Sequence, residues 1–230
     1  MKNILYALSL SLFKKSLKPL KTRLLLVLVQ TSFYRFLVLN ILPRIRFSTY
    51  YTKMRGWKYH DGYDRLLPGD IILTKDKKKL STHIIGGEWA HAGICISRNT
   101  VFECAEMTSR GFTKSTFADM CFEADRVRII RCRDWDQDYI KKVIKKCLEF
   151  EDADYDVSFS FNNDFLYCSE LIYESDFERR LDVSLEDLAL LGNPYISPTG
   201  LNNAKNVDIV WDSSRLINSK NPEIRVDLSS

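Results

Sequence analysis

An α+β fold built on an antiparallel sheet is what this 230-residue sequence predicts. Three observations point there. Strand-like apolar runs follow one another around short polar turns, without the crossover helix that a parallel sheet needs. The helical stretches are gathered to either side of those runs rather than alternating with them. The composition, 45% hydrophobic and 12% aromatic, is that of a chain with enough core to cover a sheet.

Residues 1–47 read as two or three helices broken by Pro19 and Pro43. Residues 48–68, rich in Tyr, Gly and charge, read as a connector. Residues 1–60 are therefore expected to form a basic, apolar helical extension, and residues 61–230 the main domain. Leu67-Pro68-Gly69-Asp70 is a turn and Ile71–Thr74 a strand. Ala90–Ser97 and Val101–Met107 form strands around the polar turn Arg98-Asn99-Thr100. Val127–Cys132 is a further strand, alternating Val, Ile and Ile with Arg. Asp134 is placed as the N-cap of an amphipathic helix over 135–150, with Ile140, Val143, Ile144, Cys147, Leu148 and Phe150 inward. An acidic, aromatic loop over 151–167 leads to a helix over 168–179, where Leu171, Ile172 and Phe177 recur at helical spacing. Ser184 caps a short helix through Leu191, Ser197-Pro198 opens another, and Val207–Trp211 is the last strand.

The formal charge of +4 is mild but unevenly spread, since residues 1–58 hold many Lys and Arg and few acids. A basic, apolar N-terminus points to an anionic membrane surface, met through residues 1–47, before it points to nucleic acid, and no nucleic-acid partner is expected. Residues 24–43 are long enough to span a bilayer, but Arg35 at mid-span is costly there. An amphipathic anchor on a membrane or partner is the better expectation. The alternative of equal weight is that these helices cover the domain's own core. Residues 4–13 lack a small-residue cleavage site, which reads against an export signal. Six cysteines stand apart without a CxxC pair, so a reducing compartment, the cytoplasm, is expected. There is no Cys/His quartet with ligand spacing, so neither metal nor cofactor is expected.

Chemistry concentrates in Leu166-Tyr167-Cys168-Ser169-Glu170-Leu171. Here a cysteine sits at the start of a helix, near the positive end of the dipole and near unpaired N–H groups, both of which favour thiolate. A thiolate nucleophile needs a proton shuttle, and His91 lies in the strand Ala90-His91-Ala92-Gly93-Ile94. Glu103 is the candidate to hold the imidazole: with the turn centred near Arg98, it falls on the diagonal from His91, ~7 Å between Cα atoms. A slip of one residue would move it to the other face, and Glu106 is the substitute if the register differs. Tyr155 and Tyr167 flank the cysteine loop and are candidate oxyanion or substrate contacts, with aromatic packing as the plainer role for both. His60 and His83 lie in polar connectors and read as surface.

In this order the pieces resemble the papain-like NlpC-type cysteine hydrolases, in their circularly permuted, YiiX-like branch, and more distantly the lecithin:retinol acyltransferase type. The resemblance is carried by Gly69-Asp70-Ile71-Ile72, Trp89-Ala90-His91-Ala92-Gly93-Ile94, Val101-Phe102-Glu103, Tyr155-Asp156, Tyr167-Cys168-Ser169-Glu170-Leu171, and Ile196-Ser197-Pro198 followed by Val207–Trp211. It covers about residues 66–213. It implies a permuted papain-like domain with a small antiparallel sheet packed on helices. It implies acyl chemistry through a thioester, carried by a Cys168–His91–Glu103 triad. The first expectation is cleavage of an amide in a peptidoglycan-type peptide. The alternatives are an acyl hydrolase or acyltransferase on lipid or lipid-modified protein, favoured by the apolar N-terminus, and a non-catalytic binding module, which the intact Cys168 and His91 argue against.

Overall fold

The computed structural model describes residues 31–41, 54, 56–76, 87–99, 101–122, 124–161, 163–187 and 194–214. Its centre is a six-stranded sheet of β1 (Ile71–Lys75), β2 (His91–Arg98), β3 (Phe102–Thr108), β4 (Gly111–Thr116), β5 (Arg126–Cys132) and β10 (Val207–Asp212). The strands run in the order β10-β5-β1-β2-β3-β4, and every neighbouring pair is antiparallel, as expected.

The sheet is covered on both faces, and the strand period of two divides its residues between them. Ile71, Leu73, Ala92, Ile94, Ala105, Met107 and Ile130 enter one core, with Val143 and Cys147 from α4 (Gln137–Leu148) and Leu171 and Ile172 from α5 (Cys168–Ser175). Ile72, Cys95, Phe102, Cys104, Val127 and Ile129 enter the other, with Phe117, Met120 and Cys121 from α3 (Phe117–Phe122), Tyr59 and Tyr63 from α2 (Trp57–Arg65), and Trp211. The turn before β1 forms as the sequence predicts. Gly69 takes φ +90°, a conformation open to glycine, and a Cβ there would also meet Ile140 at 2.9 Å.

Several elements depart from expectation. Residues 57–65 are a helix, not a connector: Gly62 lets α2 approach closely enough that a Cβ would lie 3.1 Å from the Trp211 indole, and Asp61 accepts the indole N–H at 2.7 Å. Residues 57–60, assigned to the extension, thus pack on the main domain. β4 and α3 carry no strong local signal and form on tertiary contacts, β4 by pairing with β3 and α3 by burying Phe117, Met120 and Cys121. The N-cap of α4 is Asp136, whose carboxylate accepts the N–H groups of Asp138 at 3.0 Å and Tyr139 at 2.9 Å. α5 stops at Ser175, and Phe177 is half-exposed. In place of a helix after Ser184, Glu186–Asp187 (β8) pairs with Pro194–Tyr195 (β9). Ser197 caps α6 (Pro198–Asn202) as expected, accepting the Gly200 N–H at 2.7 Å. Of the expected N-terminal helices, only α1 (Ser32–Phe36) and a π-helical turn over Leu37–Ile41 fall among the described residues. Pro19, Pro43 and His83 lie outside them. No described helix is long and apolar enough to cross a membrane.

Candidate active site

Cys168 is the first residue of α5, behind an extended N-cap at Tyr167. Glu170, three residues beyond the cap, reaches back to accept the Tyr167 N–H at 3.4 Å, which fixes the entry of the chain into the helix. The Cys168 sulfur is buried, hydrogen-bonded to the His91 imidazole and receives the Ala92 backbone N–H. Burial alone would raise the thiol. The bond to His91, the charge of the imidazolium and the Ala92 N–H outweigh it and hold the thiol below its ordinary value.

His91 opens β2, and its Nε2 lies 2.5 Å from Oε2 of Glu106, which leaves Nδ1 to meet the sulfur. Burial works against the charged imidazole. The hydrogen bonds to Cys168 and Glu106 prevail and carry its pKa up to about 10. Near neutral pH the imidazole is therefore held charged, with both ring nitrogens donating, and it favours the thiolate form of Cys168. The Glu106 side chain is only 11% exposed, so its charge acts on His91 with little screening.

Glu103 does not reach His91. It is exposed, pairs with Ser97 across the ladder and accepts the Ser97 hydroxyl at 2.6 Å. The register explains the error. The β2–β3 connection spans residues 99–101, two positions later than the turn assumed from the sequence, and a bulge falls between Cys95 and Ser97. In the resulting frame Gly93 stands opposite Glu106. Glu106 shares the parity of Phe102 and Cys104, whereas Glu103 falls on the other face. A sequence signal for this does exist: a glycine inside a strand, two residues after the histidine, marks a close approach. At Gly93 a Cβ would lie 2.7 Å from Cε of Met120 and 3.1 Å from the Ala105 carbonyl.

The two tyrosines separate into different roles. Tyr167 is buried, and its hydroxyl accepts the Ile196 N–H at 2.9 Å, which ties the nucleophile loop to the strand β9 and helix α6 region; it is a structural group. Tyr155 lies in β6 (Asp154–Tyr155), which pairs in parallel with β7 (Phe165–Leu166), two residues before Cys168. Burial, and next the charge of the Cys168 sulfur, hold its phenol well above the ordinary range, so its hydroxyl stays protonated. The neighbouring Asp156 is buried and accepts the N–H groups of Ser158 at 2.7 Å and Ser160 at 2.8 Å, folding the intervening loop back on itself. Together these groups can attack an acyl carbon, store a proton and stabilise an oxyanion. Among the described residues no group of three or more His, Cys, Asp or Glu side chains is placed to hold a metal ion.

A family model described as a permuted papain-like amidase enzyme, YaeF/YiiX, C92 family, matches residues 65–219. Among solved structures, the metalloprotein yiiX from Escherichia coli O157:H7 is similar at a TM-score of 0.55 and 17% identity, over 64% of this chain and 97% of that one. That likeness is one of fold. The search of curated proteins gave no match.

Proposed function

The chain belongs to the permuted papain-like amidase family, which makes it a cysteine hydrolase, and we propose that it works through Cys168, His91 and Glu106. The supporting observation is the contact of the Cys168 sulfur with an imidazole whose other nitrogen is held by a buried carboxylate. The thiolate attacks the amide carbonyl carbon, a C–S bond forms, and the carbonyl electron pair moves onto oxygen, towards the Tyr155 hydroxyl. As the pair returns, the C–N bond breaks and His91 gives its proton to the leaving amine. Water then attacks the thioester while His91 takes its proton, releasing the acid and restoring the thiolate. Glu106 holds the ring and balances its charge throughout.

For the substrate we propose an amide in a peptide of peptidoglycan type, the substrate of the NlpC-type enzymes that the motifs resemble. A second proposal, an acyl group on lipid or lipid-modified protein at an anionic membrane surface, is favoured by Phe33 and Phe36, which α1 leaves exposed beside Arg35. All six cysteines are free, which suits the reducing compartment we assign. The experiment is mass spectrometry of the protein mixed with a muropeptide amide or an acyl-lipid donor. Mass added at Cys168, and lost in Cys168→Ala, identifies the donor class; no adduct with either donor would remove the proposed nucleophile.

A further inference from the structure

We infer that Tyr34, from the segment preceding the family domain, forms a specificity-determining wall of the Cys168 site, and that the group held against it is an extended apolar acyl chain. The proposal rests on Cys168 as the nucleophile and on the second of the two substrate readings, the acyl group on lipid or lipid-modified protein. The helix α1 that carries Tyr34 is short, but it is fixed at several points. The Thr31 side chain accepts the Tyr34 N–H at 3.2 Å. Arg35 Nη2 meets Asp154 Oδ2 at 3.0 Å, and the Arg35 guanidinium lies over the Phe165 ring, 4.9 Å from its centre. Asp154 and Phe165 are paired residues of the β6–β7 ladder, whose next pair is Tyr155 and Leu166. The helix is therefore attached to the two segments that deliver Tyr155 and Cys168.

Tyr34 joins an aromatic cluster with Tyr155, Phe159, Tyr167 and Tyr195. Tyr34 and Tyr155 both pack against the buried pair Tyr167 and Tyr195, and Tyr167 immediately precedes Cys168, so Tyr34 belongs to the aromatic surface at the entry to the nucleophile helix. Phe159 lies between the other rings, with centroids 6.4 Å from Tyr155 and 5.3 Å from Tyr167, and holds φ +50° to do so. A left-handed backbone is costly for a bulky residue, and such strain gathers where a binding surface needs it. The members of the cluster are uncharged aromatic rings, and the carboxylate of Asp156 acts on Tyr34. An anionic group would be repelled there, whereas an alkyl chain would lie along the ring faces and leave water.

The test compares alkylation of Cys168 by iodoacetamide and by N-octyl iodoacetamide, followed by intact mass and peptide mapping. In both reactions the thiolate forms a C–S bond and iodide leaves. In the native chain the octyl reagent is expected to react faster. Tyr34→Ala should lower the octyl-to-iodoacetamide rate ratio roughly tenfold, about the weight of two methylenes taken out of water, with the iodoacetamide rate unchanged. Tyr34→Phe, which keeps the ring, should retain the ratio. Arg35→Ala, which only loosens the helix, should lower it two- to threefold, roughly the reach of an exposed ion pair. Fast labelling of Cys168 with the same ratio in the native chain and Tyr34→Ala would overturn the wall while leaving the nucleophile intact. A rise of both rates in Tyr34→Ala would overturn it too, making Tyr34 an obstacle to entry. Slow labelling of Cys168 by both reagents would overturn the nucleophile and the wall together.

Discussion

Replacing Glu106 by Gln keeps the shape of the side chain and removes its charge. Its Oε2 lies 2.5 Å from His91 Nε2, and the side chain is 11% exposed, so little water replaces what is lost. An opposite charge at that range supports the charged imidazole by about 1–3 pKa units, each worth about 1.4 kcal/mol. His91 stands at about 10 with Glu106 and the thiolate beside it. The sign follows directly: without the carboxylate the imidazolium is less favoured, and its pKa falls. In the native protein the alkaline limb of kcat/KM against pH should lie near 10, where His91 loses its proton. In Glu106→Gln that limb should move down by about 1–3 pH units. Glu103→Gln is the matched control, since it breaks only the exposed contact with Ser97, and its profile should overlay the native one. An alkaline limb that moves in Glu103→Gln and stays in place in Glu106→Gln would refute the assignment of the third residue.

Other consequences can be measured alongside. Tyr155→Phe should lower kcat by roughly 10²-fold with KM little changed, the signature of an oxyanion donor, while Tyr167→Phe should cost about 1 kcal/mol in urea unfolding and leave kcat near native. Glu170 is buried, and burial above all holds its carboxyl up at about 8, with Asp156 and Glu174 adding to the shift and the Tyr167 N–H opposing it. Because its folded pKa lies above the unfolded one, its contribution to stability is full below about 4.5 and fades as pH rises through about 8. Glu170→Gln should remove this dependence, so the fall in Tm from pH 5 to pH 9 should be smaller by roughly 10 °C than in the native chain.

Much of the fold was legible because its elements carry their own periods. β1, β2 and β5 alternate or run apolar, α4 repeats its apolar residues at helical spacing, and Ser197 announces α6. α2, α3 and β4 were not legible, because their stability comes from partners distant in the chain: Trp211 and Phe117 against Gly62, and the β3 edge alongside Gly111–Thr116. The Cys168 helix start and the His91 strand were also local signals, each placing a reactive group on a rigid element.

What the sequence determined by itself was the chemistry: a thiol at a helix entry and an imidazole in a strand, in the order of a permuted papain-like amidase. Tertiary structure alone decided which carboxylate meets the imidazole and how the two tyrosines are held. Register depends on the length of a turn and the position of a bulge, and neither leaves a period in the sequence. A shift of a few residues therefore exchanged buried Glu106 for exposed Glu103. Tyr155 and Tyr167 look alike in the chain and differ because the Ile196 N–H bonds the hydroxyl of one, while the other feels the charge of the Cys168 sulfur.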